Sequence, residues 1–97
     1  MSQPTPAARP RLSPGVRFRK DGITGDHVLL FPEGVVRLNA TGAAILELCD
    51  GVRSIDDVVL TLATRFDTSP EKLRDDVSDY LSQLAHKGHV RFEENAT

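Results

Sequence analysis

The sequence has few of the residues that exported proteins and most enzymes depend on. Its 97 residues include one cysteine and three histidines. A lone Cys49 excludes a disulfide within the chain and is typical of a reducing compartment, so we expect a cytoplasmic protein. No apolar run approaches the ~20 residues that span a bilayer, and Met1 to Pro14 lacks the apolar core of an export signal. The composition predicts one small domain that neither crosses nor binds a membrane.

The same scarcity argues against a catalytic or metal centre. His86 and His89 are three residues apart, but Gly88 lies between them at an expected helix end, and no cysteine and histidine cluster joins them. Cys49 has no histidine near it in sequence that could activate it. The chain also lacks a glycine-rich phosphate loop. We therefore expect no enzyme activity, no metal and no cofactor.

Charge is divided unevenly along the chain. Residues 1–24 carry five Lys or Arg against one Asp, whereas residues 25–97 carry seven against thirteen Asp or Glu. An acidic body repels phosphate backbones, so we expect no nucleic-acid partner. A DNA-binding winged helix is the weaker alternative, because its third helix would be acidic and only Arg17, Arg19 and Lys20 support it.

Strand signals occupy the first part of the chain. Four prolines in residues 1–14 predict a flexible arm, followed by a single winged-helix-like domain over 15–92 and a loose end over 93–97. Val16 to Lys20 alternates apolar and basic residues, as strands do. His27 to Phe31 and Val35 to Leu38 form a predicted hairpin, in which Pro32 fixes one φ angle and Gly34 supplies a positive one. Residues 90–92 predict a short closing strand.

Three helices follow. Asn39 is the predicted cap of a helix over 40–49 that ends at Gly51. Ser54, with Asp57 three residues later, begins a second helix. Its apolar face comprises Ile55, Val58, Val59, Leu62, Ala63 and Phe66. Ser69 and Pro70 begin a third that reaches Lys87. The fold class is thus α+β and winged-helix-like, with a small antiparallel β-sheet of three strands followed by a three-helix bundle.

An edge strand beside a helix is a place to hold an extended peptide. Such a strand offers unpaired N–H and C=O groups to a ligand that adds as a further strand. If Val35–Leu38 is the edge, the apolar stripe of the third helix gives pockets, and Asp75, Asp76 or Asp79 gives charge selection. A free edge can also pair two copies, so we expect a monomer or a weak homodimer.

Several segments together resemble the PqqD family of pyrroloquinoline quinone (PQQ) biosynthesis, the prototype of the recognition elements for ribosomally made, modified peptides (RiPPs). They are Val28-Leu29-Leu30-Phe31-Pro32-Glu33-Gly34 with Leu38-Asn39, then Ile45 to Gly51, then Asp75-Asp76-Val77 with Leu81, Leu84 and Gly88. Pro10-Arg11-Leu12 and Gly15-Val16-Arg17 agree as well. The resemblance covers about residues 9–92.

The resemblance implies a peptide chaperone without chemistry of its own. It would bind the precursor peptide PqqA and present it to the radical SAM enzyme PqqE, which holds the iron–sulfur clusters. The family's peptide site, between the third strand and third helix, maps here to Val35, Val36, Arg37, Leu38, Leu73, Asp76, Val77, Tyr80, Leu81 and Leu84. A carrier or binder of the quinone product is the alternative within the family.

Overall fold

The computed structural model describes residues 4–93, which form two antiparallel sheets and three helices. In chain order the elements are β1 (Arg9–Leu12), β2 (Arg17–Lys20), β3 (His27–Phe31), β4 (Gly34–Arg37), α1 (Ala40–Glu47), α2 (Ile55–Phe66), α3 (Pro70–His86) and β5 (Val90–Glu93). The predicted α+β class, with a three-stranded sheet before three helices, is confirmed. Within the described residues no helix is long and apolar enough to cross a membrane.

The three-stranded sheet has the order β2-β3-β4. Leu29 of β3 pairs with Phe18 on one side and with Val36 on the other, and the β3–β4 hairpin closes at the pair Phe31 and Gly34. The positive φ expected at Gly34 is wrong, because Gly34 is not among the residues with positive φ. The two turn residues, Pro32 and Glu33, close the hairpin without it.

The predicted flexible arm differs from the structure over residues 8–12. β1 pairs with β5 from Arg9 opposite Glu93 to Leu12 opposite Val90. Ala8 and Pro10 are buried, and their carbonyls accept from Ile55 N–H at 2.8 Å and Gly51 N–H at 2.9 Å. A proline lacks an N–H but keeps its carbonyl, so this proline-containing segment can still be held by bonds that it accepts. Residues 1–3 of the predicted arm and 94–97 of the predicted loose end lie outside the described residues.

The first helix is shorter than its apolar pattern predicts. Asn39 caps it as expected, its Oδ1 accepting from Gly42 N–H at 2.7 Å. The helix ends at Glu47 rather than near Cys49, because Asp50 leaves it to form a bridge with Arg11. Gly51 is therefore not the residue that ends α1. Its positive φ of 79° belongs to a turn, and its N–H donates to the Pro10 carbonyl of β1.

The other two helices begin as predicted, and α3 ends at His86, one residue before the predicted end at Lys87. Ser54 and Asp57 form a reciprocal capping box at the start of α2, with bonds of 3.0 and 3.1 Å. Ser69 Oγ accepts from Lys72 N–H at the start of α3, and Gly88 follows its end with a φ of 83°. The apolar face of α2 is buried except for Phe66, which is 47% exposed in the last turn.

The core lies where the inner face of the sheet meets all three helices. Leu29, Ile55, Leu62 and Leu81 are its largest fully buried side chains. α2 and α3 pack against each other, and α3 also contacts β5. Val77 and Leu81 of α3 share this core with Leu29 of the three-stranded sheet, which places α3 beside that sheet at the site described below.

Candidate functional site

β4 is an open edge of the three-stranded sheet, since no strand within the described residues pairs with its outer side. Leu38 N–H donates to His27 O at 2.9 Å. Hydrogen-bonded residues alternate along an antiparallel pair, so Leu38, Val36 and Gly34 direct their backbone groups toward β3. The N–H and C=O groups of Val35 and Arg37 consequently point away from the sheet. They form a short row of donors and acceptors that an extended chain could pair with.

A groove of about 190 Å³ runs between the end of β4 and the C-terminal half of α3. From the strand side it is lined by Val36, Arg37, Leu38 and Asn39, and from the helix side by Tyr80, Gln83, Leu84 and Lys87. The four helix residues stand at positions i, i+3, i+4 and i+7, so they lie on one face of α3. The groove therefore combines apolar side chains with a free strand edge.

Tyr80 is held at the groove by a close approach of α1 and α3. A Cβ atom added at Gly42 would lie 2.6 Å from the Tyr80 hydroxyl oxygen and 3.1 Å from the adjacent ring carbon. Only glycine leaves room for this ring. Partial burial, followed by the nearby Cys49, raises the pKa of the Tyr80 hydroxyl above its ordinary value, so the group stays a neutral donor and acceptor near neutral pH.

The structure brings five of the ten predicted site residues together in the groove: Val36, Arg37, Leu38, Tyr80 and Leu84. Val77 and Leu81 are buried in the core, and Leu73 packs against it. Val35 and Asp76 are exposed outside the groove, Val35 with its backbone on the open edge. The assignment of the ten residues to peptide binding stays a prediction.

Three groove residues were missed from the sequence: Asn39, Gln83 and Lys87. Asn39 had been assigned only to capping α1. Gln83 and Lys87 follow Tyr80 at the spacing of one helical face, and that spacing was the signal that could have identified them. The lining includes the basic Lys87, whereas Asp75, Asp76 and Asp79 are not part of it. The Arg37 side chain alternates with those of Val36 and Leu38, so Arg37 borders the groove through its backbone. The expected charge selection by Asp75, Asp76 or Asp79 stays a prediction.

A larger concavity of about 400 Å³ lies between the N-terminal segment and the start of α2. Three of its polar residues already have structural roles: Ser54 and Asp57 form the capping box of α2, and Asp56 accepts from Arg74 at 2.8 Å. The fourth, Arg9, has a buried Nε without a hydrogen-bond partner. Among the described residues no group of three His, Cys, Asp or Glu could hold a metal ion. The β4–α3 groove is the better candidate because it borders unpaired backbone groups.

Comparison with known proteins connects this geometry to a family. A family described as "PqqD: Coenzyme PQQ synthesis protein D (PqqD)" matches residues 26–90. The "PqqA binding protein" of Azotobacter vinelandii is 43% identical over 90 residues, covering 93% of this chain and 97% of its own. That of Methylococcus capsulatus is 38% identical over 80 residues, covering 82% and 84%.

A solved structure has the same fold. The NMR structure of the PqqD truncation of Methylobacterium extorquens PqqCD, described as a functional, stand-alone RiPP recognition element, matches with a TM-score of 0.73 and 34% identity. The match covers 84% of this chain and 87% of that one. Sequence and fold comparisons therefore agree.

Proposed function

Because this chain belongs to the PqqD family, we propose that it is a non-catalytic recognition protein of PQQ biosynthesis that binds the precursor peptide PqqA. The peptide lies along β4 as a further strand and inserts side chains into the β4–α3 groove. Relatives named "PqqA binding protein" support this ligand. In the proposed role the chain carries out no reaction itself.

One observation carries the proposal: the open edge of β4 borders the groove. Val35 and Arg37 present backbone groups outward, and Val36 and Leu38 contribute side chains to the groove beside them. Backbone pairing supplies affinity for any extended chain, and pockets for alternate side chains supply specificity. Lys87 adds a preference for a peptide that carries a carboxylate near its apolar anchor.

The proposed role includes delivery of the bound peptide to the radical SAM enzyme PqqE, in the cytoplasm. A groove that is open on the solvent side suits delivery, because the peptide remains accessible while bound. Binding of the quinone product is the alternative role, and it would use the same groove in place of the peptide. A monomer or weak homodimer is compatible with peptide binding as long as the β4 edge stays free.

A titration of isotopically labelled protein with PqqA peptide tests the proposal. We expect the amide signals of residues 35–38 and 73–84 to shift, with the largest shifts at the outward N–H groups of Val35 and Arg37. Shifts confined to other elements, or no shift at micromolar peptide, would contradict it. Thermal unfolding of the protein with and without the quinone product tests the alternative role, since a ligand that binds the folded state raises Tm.

A further inference from the structure

The central strand β3 is apolar on both of its faces, although only one of them is buried. Its sequence is His27-Val28-Leu29-Leu30-Phe31. Leu29 faces the core and is fully buried, whereas Val28 and Leu30 on the opposite face remain partly exposed. An antiparallel sheet with one face in water ordinarily carries polar residues there, and continuous apolar runs belong to strands covered on both sides. This pattern indicates a second covering layer that the described chain does not supply.

The register defines that outer face. Residues directly opposite each other in neighbouring strands share a face. One row consists of Arg17, Leu30 and Val35, and the next consists of Arg19, Val28 and Arg37. Three apolar side chains are thus bordered by three arginines, and we call these six residues the outer sheet face.

The outer sheet face is exposed and basic. Val35 is 58% exposed, and the Arg37 side chain is 71% exposed with a long contact of 3.9 Å to Asp26. Arg17 and Arg19 are also exposed. These arginines lie on a molecule whose residues 25–97 carry a net negative charge. Such a face attracts an acidic surface, while the rest of the molecule repels it, and this fixes the orientation of encounter.

We propose that the outer sheet face is the docking surface for an acidic, partly apolar patch on the enzyme that receives the peptide. Arginine fits this role because its charge persists when the surface is covered and its planar group binds carboxylates with two hydrogen bonds. A nucleic acid fits less well, because phosphate contacts make no use of Val28, Leu30 and Val35. This inference rests on the proposed function for the identity of the enzyme.

Peptide binding on β4 would enlarge the same surface. A strand added beside Val35 and Arg37 places alternate side chains on the outer sheet face. The docked enzyme then contacts both the protein and half of the peptide's side chains. It follows that the enzyme binds the peptide complex more tightly than the protein alone, and by linkage the peptide binds more tightly in the presence of the enzyme.

The test uses single charge reversals in one strand. Arg17→Glu and Arg19→Glu lie on the outer sheet face. Lys20→Glu, in the same strand and also exposed, lies on the other face and makes the same change in net charge. The affinity of each variant for the purified radical SAM enzyme from the same genome is measured without and with PqqA peptide. Peptide affinity alone and the melting curve are recorded for all four proteins.

We expect Arg17→Glu and Arg19→Glu each to weaken enzyme binding tenfold or more. Lys20→Glu should weaken enzyme binding by less than threefold. All three variants should bind the peptide with an affinity within twofold of wild type. Unchanged enzyme binding by both outer-face variants, or an equal loss in Lys20→Glu, would overturn the docking surface. So would self-association or DNA binding that the outer-face variants abolish while enzyme binding persists. If wild type fails to bind peptide, the proposed function falls, and the measurements without peptide still decide the docking surface.

Discussion

At the scale of single residues, the pair Gly42 and Tyr80 shows how a small residue shapes the groove. Gly42 lies in the first turn of α1, where its N–H is bonded to Asn39. The missing side chain leaves space for the Tyr80 ring, which in turn lines the groove. A residue with no side chain therefore influences a binding surface that it does not itself line.

We predict that Gly42→Ala destabilises the protein by about 1–2 kcal/mol, because the new methyl group must displace the Tyr80 ring. Alanine in a helix would ordinarily stabilise by up to ~1 kcal/mol. Peptide affinity should fall as well, since the ring is displaced from the groove. Urea unfolding and a peptide titration measure both effects.

Two further variants test whether the clash with Tyr80 causes the loss of stability. In a Tyr80→Phe background the nearest clashing atom, the hydroxyl oxygen, is absent. Gly42→Ala should therefore reduce the free energy of unfolding by less in that background. Gly22→Ala is the matched control, since a Cβ at Gly22 meets nothing within 4 Å. If the Gly42→Ala protein were more stable than wild type, the Tyr80 ring would move aside without a loss of stability, which would contradict the prediction.

Cys49 is a second residue whose properties follow from its surroundings. It is 7% exposed, and its thiol donates to Ile45 O at 3.3 Å. Burial, followed by the charge of Asp50, raises its pKa to about 12. The thiolate is the reactive form, so this cysteine is inert in the folded state.

We predict that a thiol reagent at pH 8 modifies Cys49 slowly in the native protein and rapidly in denaturant. The unfolded thiol ionises near pH 9 while the folded one keeps its proton to about 12. Stability should therefore fall as the pH rises from 9, by about 2 kcal/mol at pH 10.5 relative to Cys49→Ala. Equal reaction rates with and without denaturant would contradict the burial of the thiol.

At the scale of elements, hydrogen bonds alternate along β4, so its residues are of two kinds. The backbone groups of one kind bond to β3, and those of the other kind point to the open edge. Val36 bonds to the neighbouring strand and contributes its side chain to the groove. Val35 directs its backbone to the open edge and its side chain to the outer sheet face. One four-residue strand thus serves folding, the proposed peptide binding and the proposed docking surface.

We predict that Val35→Pro weakens PqqA binding about tenfold and changes stability by less than about 1 kcal/mol, because it removes an outward donor on an edge strand. Val36→Pro removes a bond within the sheet and should destabilise by about 3 kcal/mol. Val35→Ala controls for the lost side chain. Val35→Pro binding as tightly as Val35→Ala would exclude backbone pairing at this residue.

At the scale of the whole molecule, the two-stranded sheet joins the beginning of the described chain to its end. β1 lies against β5, and the residues around it accept bonds from the loop and helix start that follow α1. The proposed peptide-binding groove lies elsewhere, between β4 and α3. Stability and recognition are therefore assigned to different parts of the fold.

We predict that removal of residues 1–12 lowers stability by about 3 kcal/mol and Tm by more than ~10 °C, because it removes the β1 ladder and the buried Ala8 and Pro10. Peptide affinity below the melting temperature should be unchanged. Removal of residues 1–4, which keeps these contacts, is the control. Equal melting temperatures for the two truncations would mean that residues 5–12 add no stability, as the flexible arm predicted from the prolines requires.

The local features of the sequence predicted much of the fold. The caps at Asn39, Ser54 and Ser69 each depend on residues within three positions, and the helical stripes depend on a repeat within a few turns. The β1 pairing was missed because it joins segments about eighty residues apart and uses proline carbonyls, which no local pattern reports. Five predicted site residues meet in the groove, while Val77 and Leu81 carry the same apolar signal and belong to the core.

By itself, the sequence determined the hairpin, the helices and the family, since these follow from residue type and short-range spacing. Only the tertiary structure decided which N–H groups of β4 point outward, which residues of α3 border the groove, and that β3 has a partly exposed apolar outer face. Those properties depend on strand order and register, which bring distant segments together. The hairpin at Val28–Asn39 is thus encoded locally, and its function depends on what packs beside it.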